Sequence, residues 1–217
     1  MLTKLPLYLV DDDAAILDSL GFMLRQFGYQ VQTFSNGHDF LKRCALSQAG
    51  CVILDSRMPA ITGQEIQQKL LETKSPLGVI FLTGHGDLPM ALSAFRKGAC
   101  DFFQKPVSGK SLVQAIEKAQ RESLTNFEQQ SLQQKFERLT EREQQVLAHL
   151  IQGMTNKQIS EVMFLSLRTI EVHRAKIIKK LEVNNMAELV QHLANLNSIL
   201  SVIITLYSTS RRRISCV

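Results

Sequence analysis

The stretch that decides the fold is Cys-Val-Ile-Leu-Asp-Ser-Arg-Met-Pro at residues 51–59. Its unbroken apolar run predicts a strand buried on both faces, and Asp55 stands where that strand ends. The chain holds five short, mainly apolar runs, at Leu7–Val10, Val31–Phe34, Cys51–Leu54, Val79–Leu82 and Asp101–Phe103. Amphipathic patterns such as Ala14–Phe27 and Gly63–Glu72 lie between them. This alternation predicts an α/β fold, with a doubly wound five-stranded parallel sheet in the order 2-1-3-4-5.

The composition changes twice along the 217 residues. Residues 123–138 are rich in Gln, Ser and Glu, and we interpret them as a partly helical linker between a domain at 1–122 and another at 139–196. Residues 197–217 join an apolar run to three arginines and match neither pattern. A packed extension or a disordered end is the main interpretation of this atypical tail, ahead of a membrane contact or a dimer contact.

The distribution of charge indicates the kind of partner that the protein binds, and the spacing of the cysteines argues against a zinc site. Residues 1–122 carry 13 basic and 12 acidic side chains, whereas residues 123–217 carry 12 and 8, which favours an anionic partner for the second part. The four cysteines show no C-x-x-C spacing and no clustering with His, so we expect free thiols and no zinc. No leader pattern and no apolar run of about 20 residues occurs, so we expect a cytoplasmic protein that does not contact the membrane.

Polar residues gather at the carboxyl ends of the predicted strands. Asp11 and Asp12 follow the first strand, Asp55 ends the third, Thr83 ends the fourth and Lys105 follows the fifth. Ligands bind at this edge of an open α/β sheet. Crowded carboxylates repel each other, and Mg²⁺ relieves the repulsion. Asp55 is then a nucleophile toward a phosphoryl group, and Thr83 and Lys105 bind the oxygens of that group. The alternative is that these acids are ordinary loop residues, since acids at strand ends are common in loops.

Four motifs carry a resemblance that covers residues 5–122. They are Val10-Asp-Asp-Asp13, Leu54-Asp-Ser-Arg-Met-Pro59, Leu82-Thr-Gly-His-Gly-Asp87 and Phe102-Phe-Gln-Lys-Pro106. The region resembles the flavodoxin-like receiver domain of response regulators, most closely the FixJ-type branch. The resemblance implies that a sensor histidine kinase phosphorylates Asp55.

The same resemblance assigns further roles. It implies Mg²⁺ held by Asp12, Asp55 and the backbone carbonyl of Arg57, with Asp11 acting mainly through water. Thr83 and Phe102 would form the switch pair, unless Phe102 is a plain core aromatic. The resemblance also implies that phosphorylated receivers pair through the fourth helix, fifth strand and fifth helix. That face would include Leu88–Arg96 and Leu112–Ala119.

From residue 139 the pattern is entirely helical. Thr140-Glu-Arg-Glu143 and Thr155-Asn-Lys-Gln158 are capping boxes that start two helices, and Gly153 suits the left-handed position between them. Helices at Asn156–Met163 and Leu167–Glu182, joined by Phe164–Ser166, form a helix-turn-helix. We expect Asn185 to cap a fourth helix.

The second helix of this pair has two distinct faces. Its apolar face holds Ile170, Ile177, Ile178 and Leu181. We expect phosphate contacts from Lys157, Arg168, Thr169, Lys176 and Lys179, and base readout from Glu171, Val172 and Ala175. Arg174 lies nearer the buried side, where it packs or reaches a phosphate. A helical module that binds protein is the alternative.

Residues 139–196 resemble the LuxR-type helix-turn-helix through several motifs. These are Leu139-Thr-Glu-Arg-Glu143, Gly153-Met-Thr-Asn-Lys-Gln-Ile159, Arg168-Thr-Ile-Glu-Val-His-Arg174, Lys180-Leu181 and Glu188-Leu-Val190. Together the two regions resemble the NarL/FixJ family of two-component regulators. This implies a homodimer formed on phosphorylation that binds promoter DNA, works with RNA polymerase and activates transcription. Many relatives carry Lys where this chain has Glu171, which leaves the target sequence open.

Two rival interpretations were weighed. A phosphatase that forms an aspartyl-phosphate needs a second acid two residues after its nucleophile, and Arg57 occupies that position, so we expect no enzyme. A regulator with a decayed receiver would have lost Asp12, Asp55, Thr83 or Lys105, and all four are present.

Overall fold

The computed structural model describes residues 5–84, 88–185 and 188–189. The chain divides into two compact units, residues 1–127 and 128–217. The elements of the first unit are β1 (Leu7–Val10), α1 (Ala14–Gln26), β2 (Val31–Phe34), α2 (Gly37–Arg43), β3 (Cys51–Asp55), α3 (Gly63–Glu72), β4 (Gly78–Thr83), α4 (Leu88–Arg96), β5 (Asp101–Gln104) and the start of α5 (Gly109–Glu137). The motif residues 85–87 lie outside the described part.

The five strands form one parallel sheet in the order β2-β1-β3-β4-β5, which confirms the predicted fold class. β1, β3 and β4 are buried along their whole length because helices cover both faces of the sheet. Side chains alternate between two cores. Phe40, Ile66 and Phe81 lie in one core, and Leu9 and Ile53 in the other. This topology brings the carboxyl ends of β1 and β3 side by side.

Helix α5 is longer than the sequence pattern indicated. Residues 123–138, predicted to be a partly helical linker, form part of α5 up to Glu137. Leu132 and Phe136 are buried in the core of the second unit, and the division between units falls after Phe127. No Gly or Pro interrupts residues 123–138, so nothing in the local sequence ends the helix.

The second unit contains α6 (Glu141–Ile151), α7 (Asn156–Met163) and α8 (Leu167–Leu181). Both predicted capping boxes form, and Gly153 takes its left-handed conformation with φ 80°. Helix α8 ends one residue earlier than predicted. Asn185 accepts a hydrogen bond from the backbone N–H of Glu188 at 2.9 Å, as a cap does. The rest of the predicted fourth helix, and residues 197–217, lie outside the described residues.

Two further observations concern the predicted free thiols and the predicted lack of a membrane span. Cys44, Cys51 and Cys100 are free thiols, and burial raises the pKa of Cys51 well above its usual value. Cys216 lies outside the described part. Within the described ranges, no helix combines the length and apolarity needed to cross a bilayer.

Candidate functional site

Three carboxylates meet at the carboxyl edge of the sheet. Asp11 and Asp12 follow β1, and Asp55 ends the neighbouring strand β3. One carboxylate oxygen from each lies within 4.8 Å of the other two. Asp11 and Asp55 are buried, whereas Asp12 is exposed to solvent. The structure thus brings together the three side chains that the sequence placed at this edge.

Lys105 lies against two of these carboxylates. Its Nζ is 2.5 Å from Asp11 Oδ2 and 3.0 Å from Asp55 Oδ1. The backbone N–H of Lys105 donates to the carbonyl of Thr83 at 2.8 Å, which holds the segment after β5 beside the end of β4. The sequence placed Lys105 at this edge but did not predict that it pairs with both aspartates.

Burial and pairing act in opposite directions on these charges. Burial raises the pKa of the Asp11 carboxyl, even though hydrogen bonds from Lys105 and from the backbone of Asp13 favour its charged form. Burial alone would lower the pKa of Lys105, but hydrogen bonds to Asp11 and Asp55 outweigh it and raise that pKa. One ammonium faces three carboxylates, so the site carries an excess of negative charge. Oxygen donors with such an excess suit a hard divalent cation.

The loop after β3 holds Asp55 in place. The backbone N–H of Arg57 donates to Asp55 Oδ2 at 3.0 Å, while the Arg57 side chain is exposed. Helix α3 starts directly behind this loop at Gly63, where a Cβ would come within 2.4 Å of the Asp55 carbonyl oxygen. Only glycine allows this close approach. The sequence analysis missed this role, although Gly63 beside the Thr62 cap was its visible signal.

The predicted switch residues lie on neighbouring strands. Thr83 ends β4 and is buried, and Phe102 lies in β5 with its side chain partly exposed. The Phe102 ring packs against Phe81, with the ring centroids 6.1 Å apart. This contact fits the interpretation of a core aromatic, and the ring is still partly exposed to solvent. The switch itself stays a prediction.

Helix α8 presents the two faces expected of it. Ile170, Ile177 and Leu181 are buried, and Ile178 is partly buried. The opposite face is open to solvent and holds Arg168, Glu171, Val172, Ala175, Lys176 and Lys179. Lys157 is exposed in the first turn of α7. The Thr169 hydroxyl lies 2.8 Å from Ser166 Oγ within the helix cap, so contact with a phosphate would compete with the cap.

Two polar contacts hold the helices of this unit together. Arg174 was predicted either to pack or to reach a phosphate. Its Nη1 donates to Asn156 Oδ1 at 3.1 Å, which fits the first of these interpretations. Lys180 Nζ donates to Glu143 Oε2 at 2.6 Å, and the Glu143 side chain is only 3% exposed. Burial would raise the pKa of Glu143, but hydrogen bonds from Lys180 and Thr140 outweigh it and lower that pKa. The sequence analysis did not find this pair, because it joins residues 37 positions apart.

Comparison with known proteins covers both units. The family "Response regulator receiver domain" matches residues 7–117, and "Bacterial regulatory proteins, luxR family" matches residues 137–193. The tetrathionate response regulatory protein TtrR of Salmonella typhimurium is 39% identical over 192 residues, covering 88% of this chain and 93% of TtrR. The transcriptional regulatory protein FixJ of Bradyrhizobium diazoefficiens is 38% identical over 195 residues, covering 88% and 95%.

Solved structures show the same relationship. The response regulator StyR matches with a TM-score of 0.67 and 36% identity, covering 88% of this chain and 98% of StyR. Full-length FixJ from B. japonicum matches with a TM-score of 0.53 and 37% identity, covering 87% and 95%. Both matches extend across the receiver-like sheet and the helical unit.

Proposed function

The chain belongs to the response regulators that join a receiver domain to a LuxR-type DNA-binding domain, and we propose that Asp55 is its phosphoacceptor. The observation that carries the proposal is the position of Asp55, between a lysine ammonium at 3.0 Å and two further carboxylates. Such an arrangement suits phosphoryl transfer, which needs positioning and charge neutralisation more than covalent help from the protein.

The proposed reaction transfers a phosphoryl group from the phosphohistidine of a sensor kinase. A carboxylate oxygen of Asp55 attacks phosphorus, the P–N bond breaks and the histidine leaves as the free imidazole. Asp12, Asp55 and the carbonyl of Arg57 would hold Mg²⁺, with Asp11 acting through water. The ion supplies positive charge beside the phosphoryl oxygens. The Thr83 hydroxyl and the Lys105 ammonium would bind the remaining phosphoryl oxygens.

The new charge must rearrange the site. The phosphoryl group carries about two negative charges in place of the single charge of the Asp55 carboxylate, and Lys105 then exchanges its contact with Asp11 for one with the phosphoryl group. Thr83 moves with it, and the Phe102 ring turns inward. This change would reach the face made by α4, β5 and α5.

That face has the character of a pairing surface. Leu88, Leu92 and Phe95 of α4 are exposed although they are apolar. Within Leu112–Ala119, however, Leu112, Ala115, Ile116 and Ala119 are buried in the receiver core. On α5 the pairing face therefore consists of the residues between them, Val113, Gln114, Glu117 and Lys118.

Dimers formed through this face would bring two copies of α8 to DNA. Two helices reading half-sites about one helical turn apart bind more tightly than one. Phosphates would be contacted by Lys157, Arg168, Thr169, Lys176 and Lys179, and bases by Glu171, Val172 and Ala175. The dimer would then activate transcription together with RNA polymerase, in the cytoplasm, without acting as an enzyme.

Phosphoryl transfer to Asp55→Asn tests the proposal. Wild-type protein should take up label from a phosphorylated kinase or a small phosphodonor in the presence of Mg²⁺, and a chelator should prevent uptake. Asp55→Asn should take up none. Asp18→Asn removes an exposed acid of α1 and serves as the matched control, which should label normally. Equal labelling of Asp55→Asn and wild type would show that the phosphoacceptor is another residue.

A further inference from the structure

The turn between α7 and α8 has an unusual residue at its left-handed position. Phe164 ends α7 with φ 54° and ψ 42°, and its backbone N–H donates to the carbonyl of Ser160. The N–H of Leu165 donates to the same carbonyl at 3.1 Å. Glycine usually fills this position after a helix, because a Cβ is strained there. Gly153 does so between α6 and α7.

The side chain of Phe164 is unfavourable for a second reason besides the strained backbone, because it exposes apolar surface to water. It is 94% exposed, whereas the next residue, Leu165, packs partly against the core of the unit. Val162 and Leu167 on either side of the turn are 53% and 48% exposed. An aromatic ring in water adds nothing to the stability of the fold. Strain and exposed apolar surface at one place are typical of a binding site.

The surroundings of Phe164 favour DNA as its partner. Ser166 caps α8 two residues after Phe164, so the ring belongs to the turn that begins this helix. The open face of α8 begins at once with Arg168 and continues with Lys176 and Lys179. A duplex presents both kinds of group that such a surface needs. Phosphates suit the basic side chains, while thymine methyls and deoxyribose suit the apolar ones.

We propose that Phe164, flanked by Val162 and Leu167, packs against deoxyribose and thymine methyl groups where α8 enters the major groove. This inference rests on the proposed function, since it assumes that α8 binds DNA. It gives the strained turn a role in affinity. The ring gains contacts in the complex that it lacks in the free protein.

Phe164→Gly separates the stability of the turn from its DNA affinity in one variant of the full-length chain. Glycine relieves the left-handed backbone and removes the ring, so the melting temperature of the helix-turn-helix unit should rise by roughly 3 °C. DNA affinity should nevertheless fall about tenfold. Phe164→Tyr keeps an aromatic ring and should keep most of the affinity. Lys74→Gly relieves a second left-handed residue, in the first unit, and should leave DNA affinity unchanged.

The probes are short duplexes that beryllium-fluoride-treated wild type selects from a randomised pool. Phe164→Gly should leave the dependence of binding on salt unchanged, because an apolar contact releases no counterions. Lys157→Ala should reduce that slope by about one. If Phe164→Gly binds the selected duplexes as tightly as wild type, the inference is overturned, while the proposed function stands. If wild type selects no duplex, the proposed function fails and the inference fails with it.

Discussion

Replacing Asp11 by Asn should stabilise the metal-free protein at neutral pH. Asp11 is almost fully buried, accepts a hydrogen bond from the backbone N–H of Asp13 at 3.0 Å and pairs with Lys105. Asparagine has the same shape, and its Oδ1 can still accept from the backbone N–H of Asp13. Its amide NH2 takes the place of Oδ2 and cannot accept from Lys105, but Lys105 keeps its pairing with Asp55. The substitution therefore removes one negative charge from a crowded cluster and leaves the packing intact.

The distances decide the sign of the effect. At an effective dielectric constant of about 20, the attraction between Asp11 and Lys105 at 2.5 Å is about 7 kcal/mol. Each neighbouring carboxylate lies within 4.8 Å and repels Asp11 by at least about 3.5 kcal/mol, and solvent weakens the share of the exposed Asp12. Attraction and repulsion nearly cancel, so the cost of burying the charge remains. We expect Asp11→Asn to raise the free energy of unfolding by about 1–2 kcal/mol.

Urea unfolding followed by circular dichroism in chelator-containing buffer measures this gain. Because burial raises the pKa of Asp11, the folded wild type binds a proton at higher pH than the unfolded chain does. Wild type therefore gains stability from this group as pH falls, and the advantage of Asp11→Asn should be largest near pH 7 and shrink toward acid. Asp18→Asn, with the same change in net charge, should show neither effect.

Mg²⁺ should narrow the difference in stability between the two proteins. At ten times its dissociation constant, a ligand of the native state stabilises by about 1.4 kcal/mol, and wild type should show a gain of this size. Asp11→Asn should gain clearly less, because the cluster has lost one carboxylate. A loss of stability in the metal-free variant, or an undiminished Mg²⁺ effect, would refute the charge balance described for this site.

Three further predictions concern the DNA-binding unit and the assembly. Lys157→Ala should weaken binding to all duplexes alike, whereas Glu171→Ala should change the preferred base at one position, and a uniform loss would remove Glu171 from base readout. Lys180→Met leaves the buried Glu143 carboxylate without its cation and should destabilise the second unit by about 1–3 kcal/mol, discounted because Lys180 is one-third exposed. The pKa of Glu143 is lowered in the fold, so the contribution of the pair is present at neutral pH and is lost as pH falls through that pKa, which acid titration of wild type and variant would show. Beryllium fluoride should convert monomers to dimers in sedimentation, and a mass that stays monomeric while DNA affinity rises would point instead to release of an inhibitory contact between the units.

Much of the sheet could be predicted from local pattern. The short apolar runs place β1 and β2 at the residues where they occur, and the periodic spacing does the same for α3 at Gly63–Glu72. The edge that holds Asp55 followed from topology, because parallel strands end on the same side of a sheet. These features depend on neighbours in sequence or on one rule of chain connection.

The missed features depend on contacts between distant residues. The pairing of Lys105 with Asp11 joins residues 94 positions apart, and the Glu143–Lys180 pair is set by how α6 packs on α8. The continuation of α5 to Glu137 depends on burial of Leu132 and Phe136 in the second unit. The polar composition of that stretch did not indicate this burial. The left-handed backbone of Phe164 could not be predicted, because glycine, the usual signal for it, does not occupy this position.

The central claim is that phosphorylation of Asp55 controls DNA binding, and one titration tests it most directly. The affinity of the full-length chain for its selected duplex is measured with and without a phosphodonor and Mg²⁺, for wild type and for Asp55→Asn. The phosphodonor should tighten binding by wild type and leave Asp55→Asn unchanged. If wild type binds equally well in both conditions, or if Asp55→Asn responds as wild type does, Asp55 is not the control point.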